Sequence, residues 1–357
     1  MSLVSIPIPT PIGKMHLLLK YKWPLKLYFS IPYRSEYMRI MPLQNYLPTL
    51  KGILYNSIIR EPVYPFYASF KLTSRCHFGC PFCNVKKDPV KDLSTEEVKA
   101  ILKNLSCSPV LMVSFEGGEP LLREDIGELL RFARSCRFYL LFTTSVKNLT
   151  SYPLDEYAKY IDFLHVSIDE GHDNLEMFKL LPELSRLPLQ VSVQTVVTRD
   201  TVEALDEKVR LCHEQGANIV VIPAAHMDKT ENCFPDLDQL EKKLLYLRKT
   251  YPNTIHTPQG YFSAYRKQKC STASVIISPD GFLYYPCHIL GKKGPDLKTV
   301  DLCEWLRSEE AKQARQVMRE CERNCGWYQY YSIDSYTSVS SVIDALRPVL
   351  SKKRTTD

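Results

Sequence analysis

Residues 67–83 read YASFKLTSRCHFGCPFC. Tyr67 to Thr73 has the aromatic and apolar make-up of a short strand, and it runs straight into Cys76, Cys80 and Cys83 at C-x3-C-x2-C spacing. Three thiolates this close can wrap one iron–sulfur cluster, but they cannot satisfy all four irons of a cubane. One iron stays open for an outside ligand, as one position stays open in a catalytic metal centre. A structural zinc ion would want a fourth ligand. His77 is the nearest candidate, and as the neighbour of Cys76 it is poorly placed to share that metal.

Outward from this stretch the chain alternates strands and helices. Further strands are expected at 110–115, 138–144, 162–168, 190–197 and 218–223. Ser94-Thr95-Glu96-Glu97 is a capping box, with Leu93 and Val98 as a hydrophobic staple. The stretch from Val202 to Gln215 ends at Gly216, a natural C-terminal cap, and helical patterns also fit 124–136 and 236–249. Repeated strand–helix units predict an α/β fold with a parallel sheet and right-handed crossovers. Periodicity fits an open doubly wound sheet and a partial barrel equally. In either, the working groups belong at the C-terminal ends of the strands.

The second strand runs into Phe115-Glu116-Gly117-Gly118-Glu119-Pro120. Glycines let backbone approach a ligand closely, and exposed carbonyls and a carboxylate there suit a cationic group. Placed one βα unit after the cysteines, this segment makes residues 66–225 resemble the radical S-adenosylmethionine (SAM) superfamily. The resemblance implies a partial (β/α)6 TIM-like barrel, with a SAM-binding 4Fe–4S cluster on Cys76, Cys80 and Cys83. It implies that Phe82 lies near the adenine, and that Gly117, Gly118 and Glu119 meet the methionine amino group. Ser167 and Asp169, ending the fourth strand, would meet the ribose or carboxylate; Glu170-Gly171-His172-Asp173 also looks family-like. Thr143-Thr144-Ser145 departs from the Thr-Asn-Gly that relatives often carry. In the implied mechanism SAM chelates the open iron and the reduced cluster donates an electron to the sulfonium. The resulting 5′-deoxyadenosyl radical removes a hydrogen atom from the substrate, while the protein positions, tunes and excludes water.

Twelve cysteines in a chain with no evident signal peptide point to a reducing, cytoplasmic setting and to metal or redox use rather than disulfides. Cys270 and Cys287 flank two short apolar runs joined by Ser278-Pro279-Asp280-Gly281, a turn sequence, so a hairpin would bring them together. Cys321 and Cys325 could complete a four-thiolate site, for a second cluster or for zinc. This part resembles the twitch, the truncated auxiliary-cluster extension of SPASM-type radical SAM enzymes, and implies an auxiliary 4Fe–4S cluster. The expected organisation is an N-terminal arm at 1–65, a radical SAM core at 66–250, a small C-terminal auxiliary-cluster domain at 261–330, and a helix and tail at 331–357.

The first 66 residues carry eight basic and two acidic side chains, which is the whole net charge of +6. They also hold Trp23 and an amphipathic stretch from Met41 to Arg60, with Leu43, Leu47, Leu50, Leu54 and Ile58 at helical spacing and Pro48 interrupting it. The arm either packs on the barrel or lies peripherally at a membrane surface; no nucleic-acid motif accompanies its charge. The sequence leans to a small-molecule or lipid substrate, with a SPASM-type peptide or protein maturase as the alternative. A non-catalytic iron–sulfur or zinc interaction protein is the third reading, and the GGEP segment with Ser167 and Asp169 argues against it. A low-potential donor of ferredoxin or flavodoxin type is implied. His226, Tyr284 and Tyr285 are further substrate-facing candidates.

Overall fold

The computed structural model describes residues 39–225, 230, 232–257, 270–323 and 325. Trp23, the basic residues from Lys14 to Arg34, His226 and the tail at 331–357 lie outside the described residues.

Six parallel strands form the frame: β1 (Tyr67–Lys71), β2 (Met112–Glu116), β3 (Tyr139–Thr144), β4 (Phe163–Ser167), β5 (Gln190–Val197) and β6 (Asn218–Pro223). Their order in the sheet is β6-β5-β4-β3-β2-β1, so each strand lies beside its predecessor and the direction never reverses. With right-handed crossovers, an unreversed order puts every connecting helix on one face. A doubly wound sheet needs a reversal. The winding is therefore that of a barrel, and the sheet stays open.

The longer helices among these strands are α1 (Leu47–Ile59), α2 (Thr95–Ser106), α3 (Ile126–Ser135), α4 (Leu205–Glu214) and α5 (Leu237–Thr250). The capping box of α2 forms, with Glu97 N–H donating to Ser94 Oγ and Ser94 N–H to Glu97 Oε2. Gly216 follows α4 with φ of +64°, the left-handed cap that its position predicts. The helix-facing side of the sheet is apolar. Phe70, Phe115, Leu140 and Phe142 bury against Ile101, Leu102 and Leu105 of α2 and Leu129 and Leu130 of α3. Each such side chain contributes roughly 1.5–3 kcal/mol on burial.

The concave side is different. Register sets Lys71 beside Glu116, Thr143 beside His165, His165 beside Ser192 and Ser192 beside Asn218. The pairing of Phe115 with Phe142 puts Glu116 next to Thr143. One polar row thus crosses the inside of the sheet. At the N-terminal ends of the strands, Met41 and Tyr46 pack on Leu111, Met112, Tyr139 and Phe163. The Tyr46 and Tyr139 hydroxyls meet at 2.6 Å.

The arm packs in an inverted sense. Pro48 sits in the first turn of α1, where its missing N–H loses no partner, so it starts the helix instead of interrupting it. The face turned to the sheet carries Thr49, Gly52 and Asn56. Thr49 Oγ1 donates to the Pro109 carbonyl at 2.8 Å, and Asn56 takes N–H bonds from Val63 and Tyr64. A Cβ at Gly52 would lie 2.7 Å from that of Pro109. Leu43, Leu47, Leu50, Leu54 and Ile58 face outward, between 42% and 68% exposed.

Beyond β6, the predicted hairpin forms. Its strands β7 (Ser274–Ile277) and β8 (Phe282–Tyr284) pair antiparallel around Gly281, which has φ of +89°. β7 also pairs parallel with β1, and β9 (Lys293–Asp296) pairs with β8, so all nine strands belong to one sheet. Helices α6 (Leu302–Leu306) and α7 (Glu309–Arg319) follow. No helix among the described residues is long and apolar enough to cross a membrane.

Candidate functional site

The cysteine loop leaves the C-terminal end of β1 and is locked to the end of β2 by backbone. Leu72 N–H donates to the Glu116 carbonyl at 2.8 Å, Gly118 N–H to Thr73 at 2.7 Å and Glu119 N–H to Arg75 at 2.8 Å. Only glycine permits this. A Cβ on Gly118 would stand 2.0 Å from the Arg75 carbonyl oxygen and 3.0 Å from Cys76 Cβ, and Gly117 has φ of +147°. The two segments that the sequence singles out are thus zipped together, one residue short of Cys76.

Glu119 is fully buried, and its carboxylate is engaged within the chain. Oε1 accepts from Leu121 N–H and Thr144 Oγ1, and Oε2 from Ser145 N–H. Burial pushes its carboxyl above the usual range despite these donors. The group braces the end of β2 against the end of β3. Thr144 and Ser145 hold it from the β3 side.

The end of β4 joins the same assembly. Asp169 Oδ1 accepts from the N–H and Nδ1 of His172, and Oδ2 from Val196 N–H at 3.1 Å. Burial works against its ionised form, but the His172 imidazole and the N–H donors outweigh it and hold the carboxyl below its usual range. Phe82 packs so closely on the turn that a Cβ on Gly171 would come 2.2 Å from its ring. His172 meets Phe78 and Phe82 edge-on, with ring centroids 5.4 and 5.7 Å apart. Ser167 is buried beside Gln194 in register. Asn174 is the residue that sequence reasoning misses. Fully buried, it accepts from Asp169 N–H and donates to the Ser145 and Ser167 carbonyls, tying β3 to β4. Its only signal is its place just after the Glu170-Gly171-His172-Asp173 turn. A cleft of ≈ 580 Å³ opens between the cysteine loop at Phe78 and Gly79, Lys147 after β3, and His172 and Asp173 after β4.

Cys80 is buried, Cys76 and Cys83 half-buried. Burial raises the Cys76 thiol and pushes Cys80 up to about 12, so an electron-poor metal would be needed to hold them as thiolates. Cys80, Phe82 and Ala224 form one apolar group, with Phe78, Cys83 and Cys233 against it. The second set gathers as well. Cys287 lies with Ala225, Ile289 and Met318, and Cys270 and Cys325 pack on them; Cys321 is close enough to act on the Cys270 thiol. Burial pushes Cys287 up to about 11. Two adjacent residues after β6, Ala224 and Ala225, therefore touch one cysteine group each. Asn84 Oδ1 and His288 Nε2, neighbours of Cys83 and Cys287, approach to 3.4 Å.

Among the described residues no three His, Cys, Asp or Glu side chains converge as the ligands of one metal ion do. Zinc ligands lie about 2.0–2.3 Å from a common point, whereas cubane thiolates each bind a different iron and stand further apart. The donor chemistry, three thiols at a glycine cradle without a fourth ligand, fits a cubane with one open iron.

The chain matches the radical SAM superfamily over residues 70–240. The PqqA peptide cyclase of Bradyrhizobium diazoefficiens is 30% identical over 176 residues, which cover 43% of this chain and 45% of the cyclase. The chain thus spans a little under half the length of this curated relative. Among solved structures, Streptococcus suis SuiB bound to precursor peptide SuiA superposes with a TM-score of 0.62 at 16% identity, over 88% of this chain and 83% of SuiB. SuiB bound to S-adenosylmethionine gives 0.61 at 16% identity, over 84% and 80%. At that identity the likeness is one of fold.

Proposed function

We propose that this chain, which carries a radical SAM domain over residues 70–240, cleaves SAM at a 4Fe–4S cluster and directs the chemistry at a peptide. The likeness to a peptide cyclase at 30% identity is the observation that carries the substrate class. It outweighs the sequence's lean to a small molecule or lipid, which rests on the make-up of residues 1–66 and on no peptide-binding module being recognisable. Cys76, Cys80 and Cys83 would hold the first cluster, and Cys270, Cys287, Cys321 and Cys325 an auxiliary one in the 261–330 unit. When bound, cluster and SAM supply a radical able to remove a hydrogen atom. Around them Gly117 and Gly118 leave room, and Glu119, Asp169 and Asn174 hold three strand ends in place. Phe82, seated on Gly171, offers a flat apolar face for the adenine. A ferredoxin or flavodoxin would serve as electron donor.

The test uses fractions from source cells grown in deuterated medium, each incubated with reconstituted protein, unlabelled SAM and dithionite. Deuterium should appear in 5′-deoxyadenosine with the peptide fraction. Transfer from the lipid or metabolite fraction alone would overturn the peptide reading.

The outward apolar face of α1 supports a second property, docking on an anionic lipid surface. Lys51 and Arg60 are exposed on and just after this helix, and Lys14, Lys20, Lys22, Lys26 and Arg34 precede it in the sequence. Basic side chains near an anionic membrane contribute up to about 1 kcal/mol each, and the buried leucines add to that. The full chain should float with phosphatidylserine vesicles at low salt, and less at ~1 M salt, where the Debye length falls to about 3 Å. Leu47, Leu50 and Leu54 changed together to serine should leave it in the soluble fraction. Equal flotation of this variant, or none of the wild type, refutes the docking.

A further inference from the structure

Lys71 ends β1 on the concave face and is only 8% exposed. Among the described residues its ammonium makes no hydrogen bond and no close ion pair; the Tyr284 ring lies 5.8 Å from Nζ to the centroid, and the Glu116 and Cys83 charges act on it from further off. Glu116, its register neighbour, is already engaged: Oε1 accepts from Tyr67 Oη at 3.1 Å and Oε2 from Ser69 Oγ at 2.7 Å. Lysines this buried are ordinarily paired, and an unpaired charge away from water is strongly unfavourable. The Tyr284 ring that Lys71 meets packs in turn on His288, with 4.6 Å between centroids, and His288 Nε2 stands 3.4 Å from Asn84 Oδ1, so Lys71 lies beside the residues that join the two cysteine groups.

The row that Lys71 begins is polar throughout, through Glu116, Thr143, His165, Ser192 and Asn218. A packed barrel fills such positions with bulky branched side chains. His165 has a buried Nδ1 with no partner among the described residues. Burial pushes its imidazole down to about 4, so it is a neutral hydrogen-bonding group and not a second cation. Glu116 is the one anionic side chain in the row, and its two oxygens already accept from Tyr67 and Ser69. The Lys71 ammonium therefore keeps its N–H donors for a single carboxylate, with neutral polar groups beyond it. A doubly charged phosphate would be repelled by Glu116 more strongly than a carboxylate.

We propose that Lys71 anchors a carboxylate of the substrate on the inner face of the sheet, beside the residues that join the two cysteine groups. The peptide meant is the one of the proposed function, and the proposal rests on that reading. The carboxylate is either an aspartate or glutamate side chain or the C-terminus.

The experiment uses the full reconstituted protein, immobilised with SAM, and random nonapeptide libraries made as free acids and as C-terminal amides. Retained peptides are sequenced by mass spectrometry. Wild type should retain acidic peptides, or free acids over amides, by at least about tenfold, the ratio that a hydrogen bond between charged groups supplies. The first pattern assigns a side chain, the second the C-terminus. Lys71→Arg should keep the preference, Lys71→Met should lose it, and Lys71→Glu should retain basic peptides instead. Iron content and SAM affinity, read on every variant, should not change in Lys71→Met. The proposal falls if wild type shows no acidic preference or if Lys71→Met keeps it. It also falls if Lys71→Met loses iron or SAM binding, for then the ammonium serves the cluster. 5′-Deoxyadenosine release by wild type reports on the radical reading alone.

Discussion

Changing Cys76, Cys80 and Cys83 together to alanine is expected to remove about four irons per chain and to abolish 5′-deoxyadenosine formation from SAM. The three thiols share one loop, fixed at its root by the bonds from Gly118 and Glu119 to Thr73 and Arg75. Removing sulfur leaves that root intact, because none of its bonds uses a cysteine side chain. Circular dichroism should therefore match wild type, which separates loss of the cluster from loss of the fold. Cys107, exposed at the end of α2, is the control, and its alanine variant should keep both iron and activity. A triple variant that still cleaves SAM after reduction would refute the assignment of the site.

Wild type is expected to hold about eight irons, and a variant lacking Cys270, Cys287, Cys321 and Cys325 about four. Burial of Cys270 and Cys287 carries this expectation. Both thiols are raised, mainly by burial, and each is raised further by the other cysteines of its group. Thiols raised in this way are poor acids without a metal and good ligands with one, since a coordinated thiol is deprotonated outright. The quartet variant should keep SAM cleavage, because Cys76, Cys80 and Cys83 are untouched, yet lose conversion of the substrate. Metal analysis decides between the chemistries. About four irons with one tightly held zinc in wild type would replace the second cluster with a structural ion.

Strand positions were legible in the sequence because apolar runs bounded by turns are local signals; all six core strands lie within two residues of the expected spans. Strand order was not, since one periodicity serves a barrel and a doubly wound sheet, and only the pairing of β1 with β2 through β6 distinguishes them. The cysteine loop and the glycine segment were readable for the same local reason. Asn174 was not, as it binds the Ser145 carbonyl 29 residues away. The stripe on α1 illustrates another limit. Helical spacing identifies Leu47, Leu50 and Leu54 as one face, but spacing does not say which way that face points. The direction is set by Gly52, which lets Pro109 approach closely, and by Thr49 and Asn56, whose bonds to 109 and to 63 and 64 bring the polar side in. Lys71 and His165 were hidden inside strand patterns, where a lone polar residue reads as solvent-facing.

Met41 and Tyr46 close off the lower rim of β2 to β4. Whatever reaches the inner face of β2, β3 and β4 cannot pass between Tyr46 and Tyr139, so its way in is from the cysteine-loop end or through the open side of the sheet.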